Sequence, residues 1–350
     1  MVKKASRVEV DDTPEAVTSY LRQRRMTDGL PVVPPTEARV AAMIDASGFD
    51  AEHVVGELAP LNSPASVEKI AINAVMAGCE PSYMPALIAT LDAFMDPKMN
   101  AHGIQTTTNP VGPMIMFNGP IRDQIGINYD SGCFGPGTQA NATIGRALRL
   151  MLINIGGATH GDVDKAPLGW PGKFTSVCFG ENEEESPWQP FHVDRGFESG
   201  DSTVTIIPIN GMWPITEMSP EKEQVLHHVT FGMAVSGHAA TEQLPEGFES
   251  VLIMSPVIAK MVSEVMPDKE ALRRHIFENA RVPLYFHPPY RHEPAKKRMA
   301  ELGIVWDGKG VPITLNERRV LIICAGGLGG LQSIGASCML GMSVTRKIPS

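Results

Sequence analysis

Short apolar runs with strand character alternate with stretches of helical periodicity along most of this chain, and that alternation constrains the fold more than any other feature. Met114-Ile115-Met116-Phe117, Thr203-Val204-Thr205-Ile206-Ile207, Val251-Leu252-Ile253-Met254 and Val320-Leu321-Ile322-Ile323-Cys324 carry the β-branched and apolar content of buried strands. Between them lie helical patterns such as Ile144, Leu148, Met151, Leu152 and Ile155, and a helix expected from about 220 to 235. Strands that alternate with helices predict an α/β fold with mixed or mainly parallel sheets under helical cover. Two α/β halves are expected, residues 1–190 and 201–350. Residues 187–202, rich in Pro and Gly and without sustained periodicity, form the crossing between them.

Local signals place many element ends. Thr13 and Pro14 open a first helix that runs to Arg25, and Thr36 caps a second that carries Val40, Met43 and Ile44. Between them, Leu30-Pro31-Val32-Val33-Pro34-Pro35 is stiff and extended. Residues 65–95 read as two helices joined by Gly78-Cys79-Glu80-Pro81. Ile104-Gln105-Thr106-Thr107-Thr108 and Gly172–Gly180 read as further strands. Ser255-Pro256 and Pro267-Asp268 start two helices late in the chain.

Composition sets the outer limits. The chain has 350 residues, 43% hydrophobic and 20% charged, enough to bury one large core or two ordinary ones. A net charge of −9 argues against a nucleic-acid surface, and the short cluster Arg22, Arg24, Arg25 reads as a solvated helix face. The apolar stretches fall short of the ~20 residues a bilayer needs, and residues 1–12 lack the apolar core of a signal peptide, so the expectation is a cytoplasmic protein without membrane contact. The five cysteines, at 79, 133, 178, 324 and 338, contain no C-x-x-C pair. Reduced thiols are expected, with neither a disulfide framework nor a thiolate zinc site.

Two motifs carry chemistry. The first is Ser131-Gly132-Cys133-Phe134-Gly135-Pro136-Gly137-Thr138, directly ahead of the helical pattern from Asn141. A cysteine placed there would meet unpaired N–H groups and the positive end of a helix dipole, both of which favour the thiolate and make Cys133 the candidate nucleophile. The second is Glu181-Asn182-Glu183-Glu184-Glu185 at an expected strand end. Carboxylates so close together repel, and at least one is expected to hold its proton to unusually high pH, with Glu181 and Glu183 as candidate acid/base groups. Candidate substrate contacts are His102, Asn109 and Asn118 at expected strand ends, Asn141 and Arg146 on the helix after Cys133, Lys173, and Asn182. Arg146 and Arg149 flank the buried stripe of that helix, and one arginine near its N-terminal end could hold a carboxylate side-on.

The glycine-rich run 326–330 follows an apolar strand but lacks the dinucleotide-binding spacing and its acidic partner, so no NAD or ATP site is predicted, and no other cofactor. The histidines show no metal-ligand spacing: His227 and His228 point to different faces of a helix, and no metal is predicted.

Several longer segments carry a resemblance. Thr27–Thr36, Asn73-Ala74-Val75-Met76-Ala77-Gly78-Cys79, Gly132–Gly137 with Ala140–Ala147, and Glu181–Glu184 with Ser186-Pro187-Trp188 resemble a bacterial family whose members are described alongside, or fused to, UGSC-type thiol or selenol proteins. The resemblance implies a small UGSC-type thiol protein as partner. It implies no particular reaction. Two departures stand out: the chain has no U/C-Gly-Ser-Cys segment, and Gly327-Leu328-Gly329-Gly330 lacks the basic residues associated with that position.

The expected activity is hydrolysis or elimination at a C–N, C–S or C–halogen centre of a small polar metabolite, with Cys133 as nucleophile and Glu181 or Glu183 moving the proton. A thiol-redox enzyme using Cys79 and Cys133, or a non-catalytic ligand-binding subunit, are the alternatives. Acidic chains of this size are often homo-oligomers, and that is expected here.

Overall fold

The computed structural model describes residues 5–11, 13–235, 248–329 and 332–349. In chain order, the N-terminal elements are α1 (Pro14–Gln23), α2 (Glu37–Ser47), the hairpin β1 (Val54–Leu58) and β2 (Ser63–Ser66), α3 (Val67–Ala77), α4 (Met84–Met95) and α5 (Ala101–Thr106). Then follow β3 (Gly112–Asn118), α6 (Ile121–Gln124), α7 (Gln139–Asn154), α8 (Gly172–Thr175), β4 (Val177–Gly180), α9 (Phe191–Asp194), the long β5 (Thr203–Thr216) and α10 (Lys222–Gly232). The chain ends with β6 (Ser250–Met254), α11 (Pro256–Val265), α12 (Lys269–Asn279), β7 (Arg281–Val282), α13 (His292–Glu301), β8 (Val311–Pro312), β9 (Val320–Cys324), β10 (Gln332–Cys338) and β11 (Val344–Lys347). No described helix is long and apolar enough to cross a membrane.

The start and stop signals act where the sequence places them. Thr13 and Thr36 accept from the backbone N–H of Ala16 and Arg39, and Gly48 and Gly78 close their helices in the left-handed region. Two expected strands take other forms. Ile104–Thr108 lies largely in α5, because Asn100 caps Gly103 N–H and the Thr106 hydroxyl donates back to the His102 carbonyl, so local bonds outweigh β-propensity. In Gly172–Gly180 only Val177–Gly180 is extended; the first residues form the turn of α8, separated from β4 by Ser176 at φ 59°.

A seven-stranded mixed sheet has the order β4-β3-β5-β10-β6-β9, with β11 beside β5. It contains one path twice. β3 leads through helices to its parallel neighbour β4, and β5 then returns antiparallel to β3. β6 likewise leads through helices to its parallel neighbour β9, and β10 returns antiparallel to β6. The two units join where β5 pairs antiparallel with β10, from Ile209 opposite Cys338 to Thr216 opposite Gln332.

Strand periodicity divides the interior into layers. Val251, Ile253, Leu321 and Ile323 face a large core shared with α3, α4 and α7, while their neighbours Leu252, Met254, Ile322 and Cys324 face a second core with α10, α11 and α12. Both faces of β6 and β9 are therefore covered, as expected of continuous apolar runs. Residues 187–202 carry the chain from β4 to β5 inside the first of these units, and they are anchored: Trp188 is buried in the second core and donates from its indole to Pro267 O, and Asp194 meets Lys269 and Arg273.

The contact of α7 with α8 is close enough to test the packing. A Cβ at Gly145 would stand 1.9 Å from the carbonyl oxygen of Thr175. Gly145→Ala is therefore expected to destabilise the fold by about 1–3 kcal/mol despite alanine's better helix propensity, read as a lower urea midpoint at unchanged m-value.

Candidate functional site

Three loops meet beyond the ends of β3, β4 and β9. Asn182, just past β4, donates its backbone N–H to Cys324 O at 2.8 Å and its amide to Gly326 O at 3.0 Å. Gly326 N–H in turn donates to Tyr129 O at 2.8 Å, and a Cβ on Gly327 would collide with Ser131. The Cys133 loop, the acidic run and the glycine-rich loop thus form one cluster. Strand ends of α/β sheets are a common place for such sites.

Glu181 is the buried centre of this cluster, 1% exposed. Its Oε2 accepts from Asn118 Nδ2 at 2.6 Å and from Phe191 N–H at 2.7 Å, while no described group donates to Oε1. Burial pushes its carboxyl up to about 7, against the pull of Lys269 and of the two donors. The raised pKa expected within the acidic run is found at Glu181, but repulsion from Glu183 is its smallest cause and burial its largest. The other carboxylates are kept apart by cations and backbone. Arg122 grips Glu184 with two hydrogen bonds at 2.7 and 3.0 Å and holds it below the usual carboxylate range. Glu183 accepts from Gly119 N–H at 2.7 Å and Asn118 Nδ2 at 2.9 Å, with Arg122 3.4 Å away and the buried His192 ring at 3.9 Å.

Cys133 differs from the expectation. It is buried, and α7 starts only at Gln139, so the sulfur stands in a turn rather than on a helix N-terminus. Its own N–H and that of Phe134 face the sulfur and favour the thiolate, but burial outweighs them and the thiol is pushed up to about 11. Cys133 is therefore a thiol at neutral pH. Burial also pushes Cys79 up to about 12, and the thiol that interacts with it electrostatically is Cys178. Cys324, beside Glu181, rises to about 12.

The expected substrate contacts are dispersed, and most are occupied. Asn141 uses its whole amide as a clip, accepting from Asn128 N–H and donating to the carbonyls of Asn128 and Cys133. Arg146 is bound side-on to Asp28, at 2.7 and 3.0 Å, and Lys173 pairs with Asp164 at 2.7 Å. His102 is exposed on α5 instead of at a strand end, and Asn109 closes a turn with Thr107. Of the expected set, Glu181, Glu183 and Asn182 share one network of contacts, Cys133 and Asn141 belong to the loop that Gly326 and Gly327 join to it, and His102, Asn109, Arg146 and Lys173 lie outside. Asn118, expected as a contact at a strand end, does join the site, as do Arg122 and Lys269, which carry no distinct local pattern.

The glycine-rich loop is followed by β10 from Gln332 and not by a helix; Gly330 lies outside the described residues. Among the described residues no group of three His, Cys, Asp or Glu could hold a metal. Two open hollows of about 460 and 470 Å³ lie elsewhere, one lined by Asn279, Arg281 and Asp307, the other by Asp45, Phe49 and His53. No protein-family model matches the chain, and no curated protein matches it.

Two outcomes follow from these environments. Between about pH 4.5 and 7 the unfolded chain releases the Glu181 proton while the folded one keeps it, so stability falls as pH rises through that window, by about 3 kcal/mol. Urea midpoints across this range are expected to show that slope in the wild type and to lose it in E181Q. Iodoacetamide labelling of native Cys133, quantified by peptide mass spectrometry, is expected to stay slow at pH 7–8 and to rise only near its acidity constant of about 11.

Proposed function

We propose that the chain is an enzyme that hydrolyses, or eliminates a group from, a small polar metabolite, with Glu181 as the proton carrier. One observation carries the reading: a buried carboxyl with one oxygen fixed by two donors, the other without a donor, and an acidity constant near 7. Such a group gives and takes a proton with little bias at neutral pH, the condition for efficient general acid–base catalysis. Asn118 and Phe191 N–H hold it in place through either protonation state.

Cys133 is the nucleophile of this proposal and starts as a thiol. Its sulfur bonds to the substrate carbon as the C–N, C–S or C–halogen bond breaks. The thiol proton passes to water, and the Glu181 carboxyl gives its own proton to a nitrogen or sulfur leaving group and takes one back from the water of the next step. The N–H groups of Cys133 and Phe134 stabilise the negative charge that builds on sulfur during this step. Water then releases the substrate fragment.

The test is a screen of small amides, amidines, thioethers and organohalides, first for binding by thermal shift and then for turnover. The wild type is expected to turn over a bound compound, E181Q to bind it with turnover reduced roughly 10²- to 10⁴-fold, and C133S to do no chemistry. Binding without turnover in the wild type would make the chain a ligand-binding subunit instead. Full turnover in E181Q would remove Glu181 from the mechanism.

A further inference from the structure

The opposite end of β3 and β4 holds a second group of buried charges, and one of them has no hydrogen-bond partner among the described residues. Arg149 projects from α7 with 6% of its surface exposed, yet its Nε and Nη2 make no hydrogen bond and are shut off from solvent. These two nitrogens share one edge of the guanidinium, the fork that grips a carboxylate or phosphate side-on. One turn earlier on the same helix, Arg146 uses that very edge on Asp28.

The neighbouring charges do not satisfy Arg149. Asp28 and Asp164 attract it, but Asp28 is held by Arg146, and Asp164 by Lys173. Arg146, Arg149 and Lys173 against Asp28 and Asp164 leave one positive charge over in a largely buried cluster. A guanidinium does not shed its proton to escape that position. A further unpaired donor, the indole Nε1 of Trp170, lies in the segment that leads into α8, beside Gly112 at the start of β3. Asp164 and Trp170 both belong to the turn-rich segment 158–171, where Gly161 and Gly169 take positive φ.

We propose that Arg149 is the anchor of a binding site for a small oxyanion, a carboxylate or phosphate group held side-on by Nε and Nη2. The ligand completes the charge balance of the cluster, and segment 158–171 opens to admit it. The site stands apart from Glu181, which lies past the other end of β4. It is a second site, independent of the proposed reaction.

The experiment is a thermal titration of the full chain at constant ionic strength with formate, acetate, inorganic phosphate and sulfate, with chloride as the control that has no pair of oxygens to match the two nitrogens. Expected is a Tm rise of roughly 5 °C that saturates at low millimolar oxyanion. General salt effects on the surface instead grow linearly and do not saturate. The carboxylate and phosphate arms show which oxyanion the site prefers. Arg149→Met keeps the volume, removes the fork and is expected to abolish the response. Asp164→Asn removes a competing negative charge and is expected to tighten binding about tenfold, which tests the idea even if Arg149→Met does not fold. A wild-type response no different from chloride, a response that survives in Arg149→Met, or an unchanged affinity in Asp164→Asn would each overturn the proposal.

Discussion

The antiparallel pairing of β5 with β10 is the contact on which the remaining architecture depends. β5 is fourteen residues long; its first half pairs with β3 and β11 and its second half with β10. That division lets one strand belong to both β-α-β-β units. Gly335 is needed at the junction, since a Cβ there would enter the indole of Trp213, whose Nε1 reaches across to Gly232 O. The ladder thus joins two units whose parallel strands end in loops, and those loops close on each other through Asn182.

Charge burial is the second organising constraint. The chain takes several ionic groups out of water, and most have a counter-ion in place: Arg122 with Glu183 and Glu184, Asp194 with Lys269 and Arg273, Arg146 with Asp28, Lys173 with Asp164. Glu181 and Arg149 are the instructive departures. A carboxyl can take up a proton when buried, and Glu181 answers with an acidity constant near 7. A guanidinium has no such escape, so Arg149 stays charged with two donors unused.

Much of the fold was legible in the sequence. The alternation of strand runs with helical patterns corresponds to the mixed sheet and its cover, and Thr13, Thr36 and Gly78 act as the caps their residue types suggest. Misreadings fell where two local preferences compete. Thr-rich residues 104–108 have β-propensity, but Asn100 supplies a cap that the propensity scale does not weigh. β10 and β11 were not distinguished because their glycine, serine and charged residues give little apolar alternation, and their place in the sheet comes from long-range ladders. The candidate site was partly legible: Glu181, Asn182 and Cys133 were singled out by composition alone. Their protonation was not, because it depends on what packs above them.

The sequence by itself determined most element types, the α/β class, the acidic run and the Gly-flanked cysteine, since these follow from dihedral preferences, capping bonds and periodicity within a few residues. Only the tertiary structure decided which charges lie in water and which in protein. That choice left Cys133 a thiol and not a thiolate, occupied Arg146 and left Arg149 free, and raised Glu181 while lowering Glu184 three residues away. The physical reason is that the cost of a charge depends on the dielectric and the partners around it, and both are supplied by residues distant in the chain.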